Sequence, residues 1–186
     1  MIVIKVIRRI RSYLKLCFFK LLYRNNFKIN GILNSYLGKG TNIKINHRES
    51  KIFLSGKFYC RDYVILNVNG GSLHIGQGVF FNNNCTINCK EEVVIGDNCL
   101  LGEGVKIYDH DHKFKGVGLI KEQGFSKGQV MIGNNTWIGS NCIILKGVRI
   151  GDNVVIAAGT TVQEDVPSNH ILYSNLEVKK KEYNRP

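Results

Sequence analysis

Two histidines and two aspartates occupy four consecutive positions in the stretch "IYDHDHKFKG", at Asp109, His110, Asp111 and His112. An imidazole is suited to taking and returning a proton near neutral pH, where its unperturbed pKa lies. Its second nitrogen needs a partner to fix the tautomer, and Asp109, Asp111 or a backbone carbonyl could serve. A histidine cluster also raises zinc chemistry, with His74, His110 and His112 as the available set. Zinc needs its ligands at about 2.0–2.1 Å. A His-x-His pair on its own is usually a solvated turn, so the surrounding residues must decide.

Those surroundings repeat. From Ile132 an aliphatic residue returns every six positions, at Ile138, Ile144, Ile150, Ile156 and Val162. Four residues after the first five stand Thr136, Cys142, Val148, Val154 and Thr160. Upstream the same count gives Ile95, Leu101 and Ile107, then Ile75, Phe81 and Ile87, then Leu54, Cys60 and Leu66. The steps between these runs exceed six by three, two and nineteen residues. If three sixes make one turn of a triangular solenoid, every insertion leaves at the same corner, which is where a stacked repeat tolerates loops. The count predicts about five coils over residues 54 to 166, with a protruding loop at 113–131. Asn and Gly at the corners suit the tight bends. His112 falls where the longest insertion begins. By the same count His74 lies two coils away, roughly 9–10 Å at ordinary strand spacing, too far for a shared metal.

The "IGDN" and "WIGSN" units resemble those of the hexapeptide-repeat acyltransferases, over about residues 54 to 175. The nearest branch is that of the galactoside and maltose O-acetyltransferases, especially those acting on capsule and lipopolysaccharide sugars. The resemblance implies an all-β solenoid, a left-handed parallel β-helix, working as a homotrimer with its site between subunits. It implies transfer of an acetyl group from acetyl-CoA to a sugar hydroxyl in surface polysaccharide biosynthesis. His112 aligns with the family's general base after "IYTAG" or "IYTAT", and His110 is the alternative base or a shaper of the acceptor pocket. Asp109 and Asp111 stand as candidate partners of that base. Asn82 corresponds to an acceptor contact, and Trp137 to a residue lining the acetyl-CoA or acceptor pocket. The Ser140 amide corresponds to the oxyanion donor, and Ala158 and Gln163 to cofactor contacts. The chain departs from the family pattern at Gln163–Glu164–Asp165, where relatives often have Thr-Lys-Asp, and at "SNLEVKK" near its end. Lys146 or Lys179–Lys181 are then candidates for the CoA phosphates. The alternatives on the same fold are an acyltransferase for an amino-sugar nitrogen or serine, and a γ-carbonic-anhydrase-like metalloenzyme; the latter would also want a histidine at Lys115.

The remaining features bound the setting. The chain has 186 residues and a formal net charge of +12. Residues 1–28 hold eight Lys or Arg and no acid. They read as an amphipathic helix, with Val3, Ile7, Ile10, Leu14, Cys17 and Leu21 in one stripe. Such a helix either lies on an anionic membrane face or caps the first coil. Residues 29–53 read as a cap or linker, and 167–186 as a basic tail. A basic charge permits nucleic-acid binding, but the cations sit on an apolar helix without an aromatic-lined groove, which speaks against it. No metal is expected. The six cysteines include no Cys-x-x-Cys pair. Cys85, Cys99 and Cys142 recur in one repeat position, which predicts reduced, structural thiols and a cytoplasmic setting. A spanning helix and a signal peptide are not expected, since Lys and Arg interrupt the apolar N-terminus.

Overall fold

Aliphatic residues that recur every six positions can all point inward only if each six-residue unit ends in a bend. The computed structural model, which describes residues 2–174 and 180–182, shows this arrangement as a parallel β-solenoid of about six turns. Face A stacks strands Phe27–Ile29, Lys51–Leu54, Ser72–Ile75, Glu92–Ile95, Val130–Ile132 and Arg149–Ile150. Face B stacks Tyr36–Leu37, Phe58–Cys60, Val79–Phe81, Leu100–Leu101, Trp137–Ile138, Val155–Ile156 and His170–Leu172, and ends on the antiparallel strand Lys180–Glu182. Face C stacks Asn42–Ile45, Ile65–Val68, Thr86–Cys89, Lys106–Tyr108, Ile143–Ile144 and Thr161–Val162.

The counted residues are in register from turn to turn. Ile75, Ile95 and Ile132 are neighbours on face A, Phe81, Leu101 and Ile138 on face B, and Ile87, Ile107 and Ile144 on face C. All nine are buried. Asn98, Asn135, Asn141 and Asn153 make the corners with φ of 57, 53, 58 and 57°. Asparagine tolerates this left-handed region because its short amide finds local hydrogen bonds there.

The expected five coils fall short by one. The solenoid starts at Phe27 rather than near residue 54, so the segment 29–53 supplies strands instead of a linker. A short turn at Ile32–Asn34 lengthens the corner between faces A and B and breaks the count there.

An open solenoid end exposes its core and a row of unpaired strand groups. Helix α1 (Ile2–Tyr23) covers that end. Its Ser12 hydroxyl accepts the Leu37 N–H at 2.7 Å, the Lys15 ammonium donates to the Thr41 carbonyl, and the Tyr23 hydroxyl donates to the Ile43 carbonyl at 3.3 Å. Leu16 and Phe19 are buried between these contacts, with Phe19 edge-on to Phe27. The capping seam is therefore Ser12, Leu16, Phe19 and Tyr23, on the opposite side of the helix from the stripe read in the sequence. No described helix is long and apolar enough to cross a membrane.

Cys60, Cys85, Cys89, Cys99 and Cys142 are buried and unpaired. Burial raises the thiols of Cys85 and Cys99 to about 11 and moves those of Cys60, Cys89 and Cys142 upward as well. Only thiolate alkylates readily, so iodoacetamide at pH 8 should modify at most Cys17 of the native protein and all six cysteines in guanidinium, read by intact mass. The helix contacts give a second test. Leu16→Ala should cost about 2–5 kcal/mol of stability by denaturant titration, as for other fully buried leucines, whereas Leu14→Ala should stay within about 0.5 kcal/mol because its side chain is exposed.

Candidate active site

The corner between face C and face A carries the long insertion because only there does the chain leave one turn before starting the next. Between strands Lys106–Tyr108 and Val130–Ile132 it forms a β-hairpin. His110–His112 pairs antiparallel with Phe125–Lys127, setting His110 opposite Lys127, Asp111 opposite Ser126 and His112 opposite Phe125. The excursion rejoins face A at Val130, one residue before the expected end of the loop at 131. Its tip is tied by Gln123, which accepts the Gly116 N–H at 2.8 Å and donates to the carbonyls of Gly116 and Gly118.

Asp109 anchors the hairpin. Its side chain is completely buried, yet its carboxylate accepts the Lys90 N–H at 2.8 and 2.9 Å and the Glu91 N–H at 2.7 Å. The His110 Nδ1 lies 2.8 Å from the same carboxylate. A buried carboxylate is expensive to desolvate unless its oxygens are hydrogen-bonded, and here both are. Residues 90 and 91 form the C–A corner of the turn above, so Asp109 binds two successive corners together. Asp109 thus partners His110, not His112.

The two histidines are thereby given different positions. His110 is 14% exposed and meets the edge of Phe125 at 5.3 Å. His112 is exposed, with its ring 4.5 Å from that of Phe125. Among the described residues no side chain hydrogen-bonds the His112 ring. His112 lines a concavity of about 660 Å³ with Asp111, Lys113, Phe114, Lys115, Gly116, Gln123, Ser126 and Lys146. Lys146 sits at the C–A corner of the next turn and pairs with Asp111 at 3.4 Å. Three lysines make the concavity suited to an anionic ligand. Its Phe114, Gln123 and Ser126 were not singled out in the sequence. The only signal for them was that a chain leaving a corner must return to it, which puts the far strand beside the near one.

The other expected site residues lie elsewhere. Trp137 points outward from a strand of face B and is 54% exposed, not at a corner, because Asn134 and Asn135 make the bend before it and strand residues alternate in and out. It shares a smaller concavity with Asn82, Phe80 and Leu100. Ser140 and Ala158 stack at the corner between faces B and C, where a Cβ on Gly139 would lie 2.5 Å from the Ala158 nitrogen. At successive A–B corners the backbone N–H of Gln77, Asp97, Asn134 and Asp152 is capped by a side chain from the next turn. Ala158 has no oxygen to offer Ser140 in the same way. Among the described residues nothing accepts the Ser140 N–H. Gln163 follows the last face C strand, at the C–A corner two turns below the hairpin. One chain therefore brings together Asp111, His112 and Lys146, and places Asn82 and Ser140 at the B–C corner and Trp137 on face B.

Among the described residues no three His, Cys, Asp or Glu side chains are grouped to hold a metal. His74 stacks on Phe53 at 4.6 Å and lies 3.8 Å from Glu92, on the outside of face A. Of the tail lysines, Lys179 lies outside the described residues, and Lys180 and Lys181 have no described side chains.

The roles of the two carboxyl-histidine neighbours separate in a mutational test. Asp109→Ala removes the acceptor of two part-buried N–H donors and the partner of His110, and should cost about 2 kcal/mol, seen as a melting temperature lower by several degrees. His112→Ala should leave melting unchanged within about 0.5 kcal/mol, as for an exposed side chain. Equal melting of the two variants would remove Asp109 as the anchor.

Comparison with known proteins agrees with this architecture. Residues 129–164 match the bacterial transferase hexapeptide model of six repeats, and residues 92–107 match the hexapeptide repeat of succinyl-transferase. The galactoside O-acetyltransferase of Escherichia coli strain K12 is 41% identical over 100 residues, covering 54% of this chain and 49% of that protein. The chain thus spans about half the length of that curated relative. The crystal structure of a maltose O-acetyltransferase from Clostridium difficile 630 is 28% identical with a TM-score of 0.58, over 95% of this chain and 89% of that one. A galactoside acetyltransferase in complex with coenzyme A is 26% identical with a TM-score of 0.56, over 95% of this chain and 81% of that one. The chain carries hexapeptide repeats and is similar to the hexapeptide-repeat transferases, among them galactoside and maltose O-acetyltransferases.

Proposed function

We propose that the protein is an acetyl-CoA-dependent O-acetyltransferase that acetylates a sugar hydroxyl during surface polysaccharide biosynthesis. It works in the cytoplasm as a homotrimer, with α1 in contact with the inner face of the membrane. The observation that carries the reading is the His112 hairpin, which sets an exposed imidazole beside a lysine-lined concavity on a solenoid like those of the acetyltransferases above.

His112 is the base rather than His110 because it lines the concavity, while His110 is largely covered and held by Asp109. The imidazole takes the proton of the acceptor hydroxyl as that oxygen attacks the thioester carbonyl. A C–O bond forms, the carbonyl π pair moves onto oxygen, and a backbone N–H such as that of Ser140 receives the oxyanion. Collapse breaks the C–S bond, and the imidazolium returns its proton to the departing sulfur. The products are the sugar acetyl ester and free CoA thiol. Phe125 limits the swing of the imidazole, and the lysines offer charge to the phosphates of the cofactor. Since Ser140 and Asn82 sit at the B–C corner and Trp137 on face B, away from His112, a complete site takes them from a neighbouring copy.

The test is thiol release from acetyl-CoA with a panel of neutral sugars, amino sugars and serine, followed by mass spectrometry of the product. An added 42-dalton ester on a sugar oxygen is expected, and acetylation confined to nitrogen or serine would replace the proposal with the other acceptor class. His112→Ala should reduce turnover at least about 10²-fold, and near-wild-type transfer by this variant alongside a dead His110→Ala would reassign the base. Light scattering should give a trimer, and a fully active monomer would end the shared-site reading.

A further inference from the structure

Helix α1 has two faces with two different environments. The seam of Ser12, Leu16, Phe19 and Tyr23 is spent on closing the solenoid. On the opposite side Val3, Ile7, Ile10, Leu14, Phe18 and Leu21 form a continuous, exposed apolar row; Val3 is 69%, Leu14 60% and Leu21 72% exposed. The row is about 27 Å long at 1.5 Å per residue. At about 100° per residue Arg11 falls beside the row, while Arg8, Arg9 and Lys20 lie nearer the seam, and all four are exposed. Capping therefore does not account for the row, which is too long and too apolar to be an ordinary scatter of surface side chains.

We infer that this outward row is a docking face for an anionic phospholipid bilayer, and that it seats the solenoid end-on. Charge selects the occupant. Residues 1–28 carry eight cations and no acid, so a second copy of the same helix would bring like charge against like charge. A bilayer with anionic headgroups accepts the apolar row and attracts a helix that carries only positive charge, with Arg11 beside the row and the long stems of the other cations extending their reach. Orientation follows from the cap. The seam faces the first turn, so the row faces directly away from it along the solenoid axis. The His112 corner then stands on the order of 25 Å from the docking surface, from three strand spacings of about 4.8 Å and one helix diameter of about 10 Å. This deepens the membrane contact of the proposed function. For the acceptor it means a glycan carried several sugar units out from a membrane anchor, a consequence that rests on the acetyl-transfer reading, whereas the docking does not.

The experiment is co-sedimentation of the full-length protein with vesicles of phosphatidylcholine alone or mixed with phosphatidylglycerol, beside the double variant Ile10→Glu/Leu14→Glu. Expected is binding to the mixed vesicles only, weakened by salt. The double variant should lose at least about tenfold in bound fraction while keeping its melting temperature, its oligomeric state and its transfer to a soluble acceptor. Absence of binding to phosphatidylglycerol vesicles at low salt overturns the proposal, as does equal binding by the double variant. A double variant that dissociates into smaller species would show instead that the row packs against another copy.

Discussion

Parallel pairing in register, turn upon turn, is the constraint on which the rest of this molecule depends. Each strand is only two to four residues long, and alone it would hold nothing. What fixes it is a neighbour above and a neighbour below with the same inward side chain at the same level. Slipping one residue would turn every aliphatic side chain outward, so the register is strongly specified. Extra residues are consequently admitted only at corners, and the large insertion leaves at the C–A corner. The placement of chemistry at that edge follows from the core.

The passage from the rigid ladder to the hairpin is made by one buried carboxylate. Asp109 is the first residue beyond strand Lys106–Tyr108, and it turns back to the amides of Lys90 and Glu91 in the preceding corner. That contact fixes where the hairpin starts, and the Asp109–His110 contact fixes how its first strand is rotated. With His110 held by Asp109, Asp111 meets Lys146 and His112 lines the concavity. A proton-transfer group has to be held within a fraction of an ångström of its working position. An exposed histidine on an untethered loop would not meet that demand. Asp109, His110 and Phe125 tie down the strand that carries His112, the residue proposed above as the base.

The first turn poses a different problem, because it has no neighbour above it. Helix α1 solves it with a seam of small, aliphatic and aromatic residues that hydrogen-bonds to groups on face B, face C and the corner between them. The same 22-residue helix then presents an unrelated apolar surface to the outside. One element thus carries two apolar rows, one buried against the first turn and one exposed.

The six-residue period by itself determined the solenoid, the inward residues from Leu54 to Val162, the structural thiols and the corner from which the long loop departs. Periodicity is local, and each of these follows from the spacing of neighbours along the chain. The first turn escaped because an extra bend at Ile32–Asn34 interrupts the count while leaving the strands able to pair. Only the tertiary structure decided that Asp109 serves His110, since residues 90 and 109 meet by stacking of turns and no sequence interval signals it. Only the tertiary structure separated the seam of α1 from its outer row, because both rows have helical spacing and differ solely in what lies against them. It also set Asn82 and Ser140 at the B–C corner and Trp137 on face B, away from His112. A repeat assigns each residue its position within a turn, but what comes to lie beside it from other turns and from the hairpin is settled by folding.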